Sequence, residues 1–485
     1  MTSTTFPQND ASAAAPGAMP LAIEIEFDRS SLPAGGEGLA RLVVRVPHAE
    51  QAAAGPRKGL AFAAVMDTSG SMDEAAGGPD GSPMSAGNAN AMIGLGGYMG
   101  GRNGHGGPNS KMERCKSALR EAIALLGDED MASLTAFSSM AKTLFPMAPM
   151  TEPNKAKFIA AIDKLKADGG TALHAGWVLG GKEAAKGLDR KLLCRVGLFT
   201  DGQASDGERN PETLAAHAAK LAELGVSTTC FGVGASFNED LLCAMADAGE
   251  GNFRYIPDAM LATAAATDEV NGLGAAAGRR AKLRVTGVEG VDTIEILNAL
   301  PLADGGWSKL PTLVSGRPIE VVAKFKVAPG AASARLQAEV IWEDRDGISQ
   351  IQQNEAGAPV VEPDAALALA QNPEVAGAAA ALMAAKAKDD MTQFISQGNF
   401  AGAASTLADT RAMLSASAMG YSGLGAEMDS LDALTISISS GDMVGTRKMA
   451  KFQSYSRSVN QTVTAPVPAT QPQATKTPAP GDAAP

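Results

Sequence analysis

Leu60-Ala61-Phe62-Ala63-Ala64-Val65-Met66-Asp67-Thr68-Ser69-Gly70-Ser71 decides how this chain reads. Its apolar run shows no polar alternation, as expected of a strand covered on both faces in a parallel sheet. The strand opens into a turn of small, oxygen-bearing side chains. Asp67, Ser69 and Ser71 offer one carboxylate and two hydroxyls at every second position. Alone, that triplet also fits a polar turn capping a helix. Two later stretches set it apart. Gly169-Gly170-Thr171 places a hydroxyl on a glycine turn, and Leu198-Phe199-Thr200-Asp201-Gly202 places a second carboxylate just past another apolar strand. These hard oxygen donors suit Mg²⁺, Mn²⁺ or Ca²⁺ and not zinc or copper. No His or Cys falls in the three stretches; His174 is the nearest.

Outward from this turn, residues 58–272 alternate strand and helix. Strands are expected at 60–67, 131–137, 194–200, 226–233 and 252–256. Helices are expected at 111–126, 153–166, 172–186, 211–224, 238–248 and 258–271. That alternation predicts an α/β fold, a doubly wound parallel sheet with helices on both faces. Such sheets bind ligands at the carboxyl ends of their strands, beside a switch point. Asp67 and Asp201 both stand at such ends.

The D-x-S-x-S … T … D arrangement resembles the metal-ion-dependent adhesion site of von Willebrand factor type A (VWA) domains. The resemblance implies a Rossmann-like fold and one divalent ion held by Asp67, Ser69, Ser71, Thr171 and Asp201. In that family the serines and the threonine touch the metal directly or through water, and the aspartates often act through water. A metal held mainly by neutral hydroxyls keeps much of its charge. It then takes an anionic ligand, usually a Glu or Asp side chain from a partner protein. Gly70, Gly170 and Gly202 allow the backbone to come close to the ion.

Residues 73–110, about one-third Gly, interrupt the domain between the metal turn and its first helix. They read as an insertion, disordered unless its apolar residues Met92, Ile93, Leu95, Tyr98 and Met99 meet a partner. Residues 20–50 hold two alternating strands, 21–27 and 40–46, and 278–352 return to strands. Together these predict an antiparallel β-sandwich into which the α/β domain is inserted. Inter-alpha-trypsin inhibitor heavy chains, which this arrangement resembles, also flank an A domain with β structure. Residues 362–461 read as helical. A helix over 389–397 stops at Gly398-Asn399, and Phe394 and Ile395 are expected to pack on Phe400, Leu407 and Leu414. This part is similar to the helical module of plant VWA ubiquitin-ligase relatives and many bacterial proteins, with Lys448, Lys451, Tyr455 and Arg457 on its last helix. Residues 1–19 and the Pro-rich 462–485 read as disordered.

The chain has 485 residues and a formal net charge of −12. It carries no long basic run, which argues against nucleic-acid partners. Its four cysteines form no C-x-x-C pair, and a reducing compartment is expected. No signal peptide is read at the start and no membrane-spanning run anywhere, so the expected location is cytoplasmic. The RING-type cluster that a ligase needs is missing from the sequence. Metal hydrolases usually bind their ion through carboxylates or histidines, whereas hydroxyl-rich ligation suits binding. The sequence therefore reads as a non-enzymatic, metal-dependent binding or scaffold protein that engages an acidic residue of a partner. The alternatives are an adaptor subunit of an AAA+ ATPase or ubiquitin-like system and, less favoured, a metal-dependent hydrolase.

Overall fold

A computed structural model describes residues 21–47, 59–74, 110–234, 236–256, 259–417 and 424–459. The expected disordered ends and nearly all of the 73–110 insertion lie outside the described residues. Three short strands come first: β1 (Ala22–Phe27), β2 (Leu32–Pro33) and β3 (Glu37–Arg45). β1 and β3 pair antiparallel, from Ala22 opposite Arg45 to Phe27 opposite Ala40.

β4 (Leu60–Asp67) follows, with every residue buried. Its side chains divide by parity. Leu60, Phe62, Ala64 and Met66 enter one core, and Ala61, Ala63 and Val65 enter the other. The two-residue period of a strand thus feeds both covered faces, which is why no polar alternation shows in the sequence. Next come α1 (Lys111–Ala124), β5 (Met131–Phe137), β6 (Ala141–Pro149), α2 (Glu152–Asp163) and α3 (Leu173–Ala185). The unit closes with β7 (Leu193–Thr200), α4 (Pro211–Glu223), β8 (Val226–Val233), α5 (Glu239–Ala248), β9 (Phe253–Ile256) and α6 (Ala259–Gly274).

The sheet order is β6-β5-β4-β7-β8-β9. Neighbours are parallel except at the β5–β6 edge, which the sequence reading lacked. The chain winds outward from β4 on one side, then returns to β7 and winds outward on the other. The switch point therefore falls between β4 and β7, where Asp67 and Asp201 leave the sheet. α3 lies close over this region. A Cβ on Gly180 would stand 2.1 Å from Cγ2 of Val65, and one on Gly176 would stand 2.4 Å from the Phe137 ring. Only glycine permits that approach.

The chain then returns to antiparallel strands: β10 (Ala276–Glu289), β11 (Val291–Ile296), β12 (Leu302–Ala303) and β13 (Trp307–Lys309). β14 (Leu313–Val314), β15 (Ile319–Val327), β16 (Ser333–Asp344) and β17 (Ser349–Val361) complete this part. One sheet runs β1-β3-β15-β11, so strands before and after the α/β unit are hydrogen-bonded together. The register runs from Glu37 opposite Lys326 to Val44 opposite Ile319. Leu42, Val44 and Val321 meet Leu283, Val340 and Trp342 of the second sheet in a shared core. The β structure does not stop at residue 352: β17 continues to Val361 and pairs with β16 along its length. Its polar, largely exposed face hid it in the sequence.

Five helices end the described chain: α7 (Pro363–Leu367), α8 (Pro373–Ser396), α9 (Phe400–Ser417), α10 (Leu424–Ser440) and α11 (Met443–Ser458). α8 begins well before residue 389. Asn372 caps it by accepting the Glu374 N–H at 3.0 Å, and Pro373 supplies a preset first turn. Ile395, Leu407, Leu414, Leu431 and Leu434 form the helical core, with Phe394 against it. Phe400, expected there, is exposed. α11 rests on the α/β unit. Phe452 and Tyr455 meet the Phe253 ring edge-on, with centroids 6.2 and 5.8 Å away.

Candidate metal centre

The turn after β4 is built by its own polar atoms. The Ser69 N–H donates to Asp67 Oδ1 at 2.8 Å, and a short 3₁₀ turn, Gly70–Asp73, buries Met72 in the core below. The Gly70 N–H donates to the Gly169 carbonyl at 3.1 Å, and the Asp168 N–H donates to the Thr68 carbonyl at 2.7 Å. These bonds bring the 168–171 loop against the turn. Gly169 has φ +76°, which glycine adopts without strain.

Side chains from three segments meet here. Ser69 Oγ and Ser71 Oγ are 3.2 Å apart. Ser71 Oγ donates to Asp201 Oδ1 at 2.8 Å. Thr200 Oγ1 donates to Asp67 Oδ2 at 2.5 Å. Thr171 borders the group. A Cβ on Gly202 would stand 3.3 Å from Thr171 Oγ1 and 3.8 Å from Asp67 Oδ2. Asp67, Ser69, Ser71 and Asp201 are thus joined by hydrogen bonds, with Thr171 close by at Gly202.

Two members were missed in the sequence. Thr200 was read as a strand residue, although its hydroxyl fixes the Asp67 carboxylate. Lys111 figured only as the first residue of the helix expected over 111–126. Its side chain is buried. Nζ donates to Asp201 Oδ2 at 2.6 Å, to Glu74 Oε2 at 2.8 Å and to the Ser71 carbonyl at 3.3 Å. No local signal marks it, because its role depends on where α1 lands.

The electrostatics follow from this packing. Burial pushes the Asp67 carboxyl up to about 6, against the hydrogen bonds from Ser69 and Thr200 that favour its charge. Burial would lower the Lys111 ammonium, but the charge and hydrogen bond of Asp201, with those of Glu74, hold it above its ordinary value. The donor chemistry fits a hard divalent ion. Among the described residues, no three His, Cys, Asp or Glu side chains are placed to share one. An ion here would rely on hydroxyls.

Residues 107–268 match the sequence profile of the von Willebrand factor type A domain. This chain carries a VWA domain. The match begins beyond the Asp67–Ser71 turn, but β4 belongs to the same sheet, in register with β5 and β7. The insertion separates the turn from the rest of the VWA domain in sequence and not in space. YfbK, an uncharacterized protein of Escherichia coli strain K12, is 31% identical over 149 residues, 30% of this chain and 26% of its own length. The uncharacterized protein sll0103 of Synechocystis sp. is 34% identical over 145 residues, 30% of this chain and 33% of its own. The match thus spans between a quarter and a third of these curated relatives.

Solved structures extend the likeness in fold. The von Willebrand factor type A protein from Catenulispora acidiphila aligns over 90% of this chain and 91% of its own, at TM-score 0.59 and 17% identity. The ArnB paralog VWA2 from Sulfolobus acidocaldarius aligns over 90% and 99%, at TM-score 0.52 and 14% identity. The flanking sheets and helices are therefore part of a shared architecture around the VWA domain.

Proposed function

We propose that this protein is a non-catalytic binding protein whose VWA domain holds a divalent ion, Mg²⁺ first, and uses it to grip an acidic side chain of a protein partner. Asp67, Ser69, Ser71, Thr171 and Asp201 would hold the ion. The observation that carries this reading is the hydrogen-bonded group of Asp67, Ser69, Ser71 and Asp201 at the β4–β7 switch point. The ligand set gives the mechanism. Asp67, Asp201 and Glu74 against the Lys111 ammonium leave two negative charges, which a divalent ion balances, so the pull on an anion would come from the ion's open coordination position and not from net charge. Both Asp201 oxygens are already engaged, by Ser71 and Lys111. The ion would therefore lean on hydroxyl oxygens and keep its appetite for an anion. A partner carboxylate supplies that anion and carries specificity.

The buried thiols support a binding role. Burial pushes Cys115, Cys230 and Cys243 upward, away from the thiolate form a nucleophile needs. Among the described residues, no helix is long and apolar enough to cross a membrane.

The test is a titration of the protein with Mg²⁺ and Mn²⁺, followed by partner capture in Mg²⁺ and in EDTA. One ion should bind and raise the melting temperature by mass action. Ser69→Ala with Ser71→Ala should abolish both binding and capture. Metal-independent capture would move the interface elsewhere. Phosphatase or nucleotidase turnover that is lost with Asp67→Ala would make the protein an enzyme.

A further inference from the structure

His174 lies in the first turn of α3 and His217 midway along α4. Their rings stack with centroids 5.2 Å apart and planes 23° from parallel. Nε2 of His174 and Nδ1 of His217 share a 3.3 Å hydrogen bond, one ring donating according to its tautomer. Two imidazole nitrogens on one tetrahedral zinc ion, each about 2.0–2.1 Å from it, stand roughly 3.3–3.4 Å apart. The hydrogen-bonded pair has the nitrogen spacing of one edge of a zinc site, and a metal ion would replace the proton the rings share. The His174 ring is also steadied from behind, stacked on Trp177 at 6.1 Å, whose Nε1–H donates to Thr228 Oγ1.

We propose that His174 and His217 form a second metal site, for Zn²⁺ or another imidazole-preferring transition ion, separate from the oxygen cluster. The two sites differ in donor chemistry. Imidazole suits zinc, nickel and copper, whereas hydroxyl and carboxylate oxygens suit magnesium. Burial, then the neighbouring His217, lowers the His174 pKa against the pull of Glu208. Glu208 is half-buried in the loop entering α4, and its charge reaches both rings. The N–H groups of Arg209 and Asn210 hold its Oε1 at 2.9 and 2.8 Å. Among the described residues no third His, Cys, Asp or Glu completes the site as it stands. Glu208 enters by swinging its side chain away from the Arg209 and Asn210 N–H groups, and water fills what remains. Such a site is weak and exchangeable, and it clamps α3 to α4 one helical turn beyond Thr171.

The experiment is a calorimetric titration of the whole protein with Zn²⁺ in excess Mg²⁺, repeated with Co²⁺ by visible absorption. One Zn²⁺ should bind per chain without being displaced by Mg²⁺. His174→Ala and His217→Ala should each weaken zinc by at least about 100-fold, the upper range for loss of even an outer partner. The Co²⁺ bands should vanish in both. Glu208→Gln, which keeps the side chain's size, should weaken zinc by a smaller factor. The Mg²⁺ competition on the unaltered protein and the Glu208→Gln titration put no fold at risk. Zinc fully displaced by Mg²⁺, or an unchanged affinity in both histidine variants, overturns the proposal.

Discussion

Two buried lysines, Lys111 and Lys448, do opposite work with the same chemistry. Lys111 pairs with Asp201 at the open edge of the VWA sheet, and its other carboxylate partner, Glu74, is exposed. Lys448 is sealed. Its Nζ donates to Glu239 Oε2 at 2.7 Å and to the Phe237 carbonyl at 2.5 Å, and it lies 4.2 Å from the Phe237 ring centroid. Arg447 holds the other Glu239 oxygen at 2.6 Å. Both lysines neutralise an aspartate or glutamate that leaves the α/β core. One has an exposed glutamate as its second carboxylate partner, the other lies against an aromatic ring. The difference teaches that a buried ion pair becomes a site or a bolt according to what lies on its far side.

The largest effect should come from breaking the bolt. Glu239→Gln strands the Lys448 ammonium, and removing one partner of a buried pair costs about 3–5 kcal/mol. Urea unfolding measures it. Glu239→Leu with Lys448→Met should recover most of that loss, because well-packed apolar residues replace buried ion pairs at little cost. Failure to recover would mean that the pair also positions α11 through Arg447.

Asp201→Ala should behave differently. Lys111 keeps its exposed partner Glu74, so the metal-free protein should lose less stability than Glu239→Gln does. The Mg²⁺-induced rise in melting temperature should disappear. A loss of stability as large as that of Glu239→Gln would erase the contrast between the two lysines.

Lys111→Met sharpens the comparison further. Removing a positive charge beside the ion should tighten divalent binding by about tenfold or more, because Coulomb energies at such spacing reach several kcal/mol. Calorimetry with Mn²⁺ decides it, and weaker binding would show that Lys111 positions Asp201 more than it repels the ion.

The smallest effect is in pH. Burial would raise the Glu239 carboxyl, but the hydrogen bond and charge of Lys448 hold it below its usual value. Its folded pKa is therefore below the unfolded one, so the unfolded chain takes up protons first as the medium is acidified. The stability it contributes is whole above about pH 4.3, the ordinary glutamate value, and declines as pH falls through the folded value. The stability gap between the native protein and Glu239→Gln should be flat near neutrality and narrow in acid.

The sequence revealed the parts of the fold that carry unbroken apolar runs. β4, β5, β7 and β8 lie close to where those runs stand, because both of their faces are covered. β6 escaped because an edge strand alternates with solvent and here contains Pro146, which reads as a break. β17 escaped for the same reason, with a polar face toward water. At the candidate site, the order of Asp67, Ser69, Ser71, Thr171 and Asp201 was legible because each lies on a short turn after a strand or a glycine pair. Lys111 and the His174–His217 pair were not. Their partners lie 90 and 43 residues away, and no local pattern encodes that adjacency.

The pairing of β3 with β15 also sets a timetable for the newborn chain. Arg41 on β3 forms an ion pair with Glu320 on β15, 279 residues further along. At the usual 5–20 residues per second, that partner emerges on the order of tens of seconds after β3 does. Until then the edge of β3 that β15 will cover is open to the wrong neighbour. The α/β unit, whose sheet neighbours are made in between, can be complete before the strands that precede it find their place.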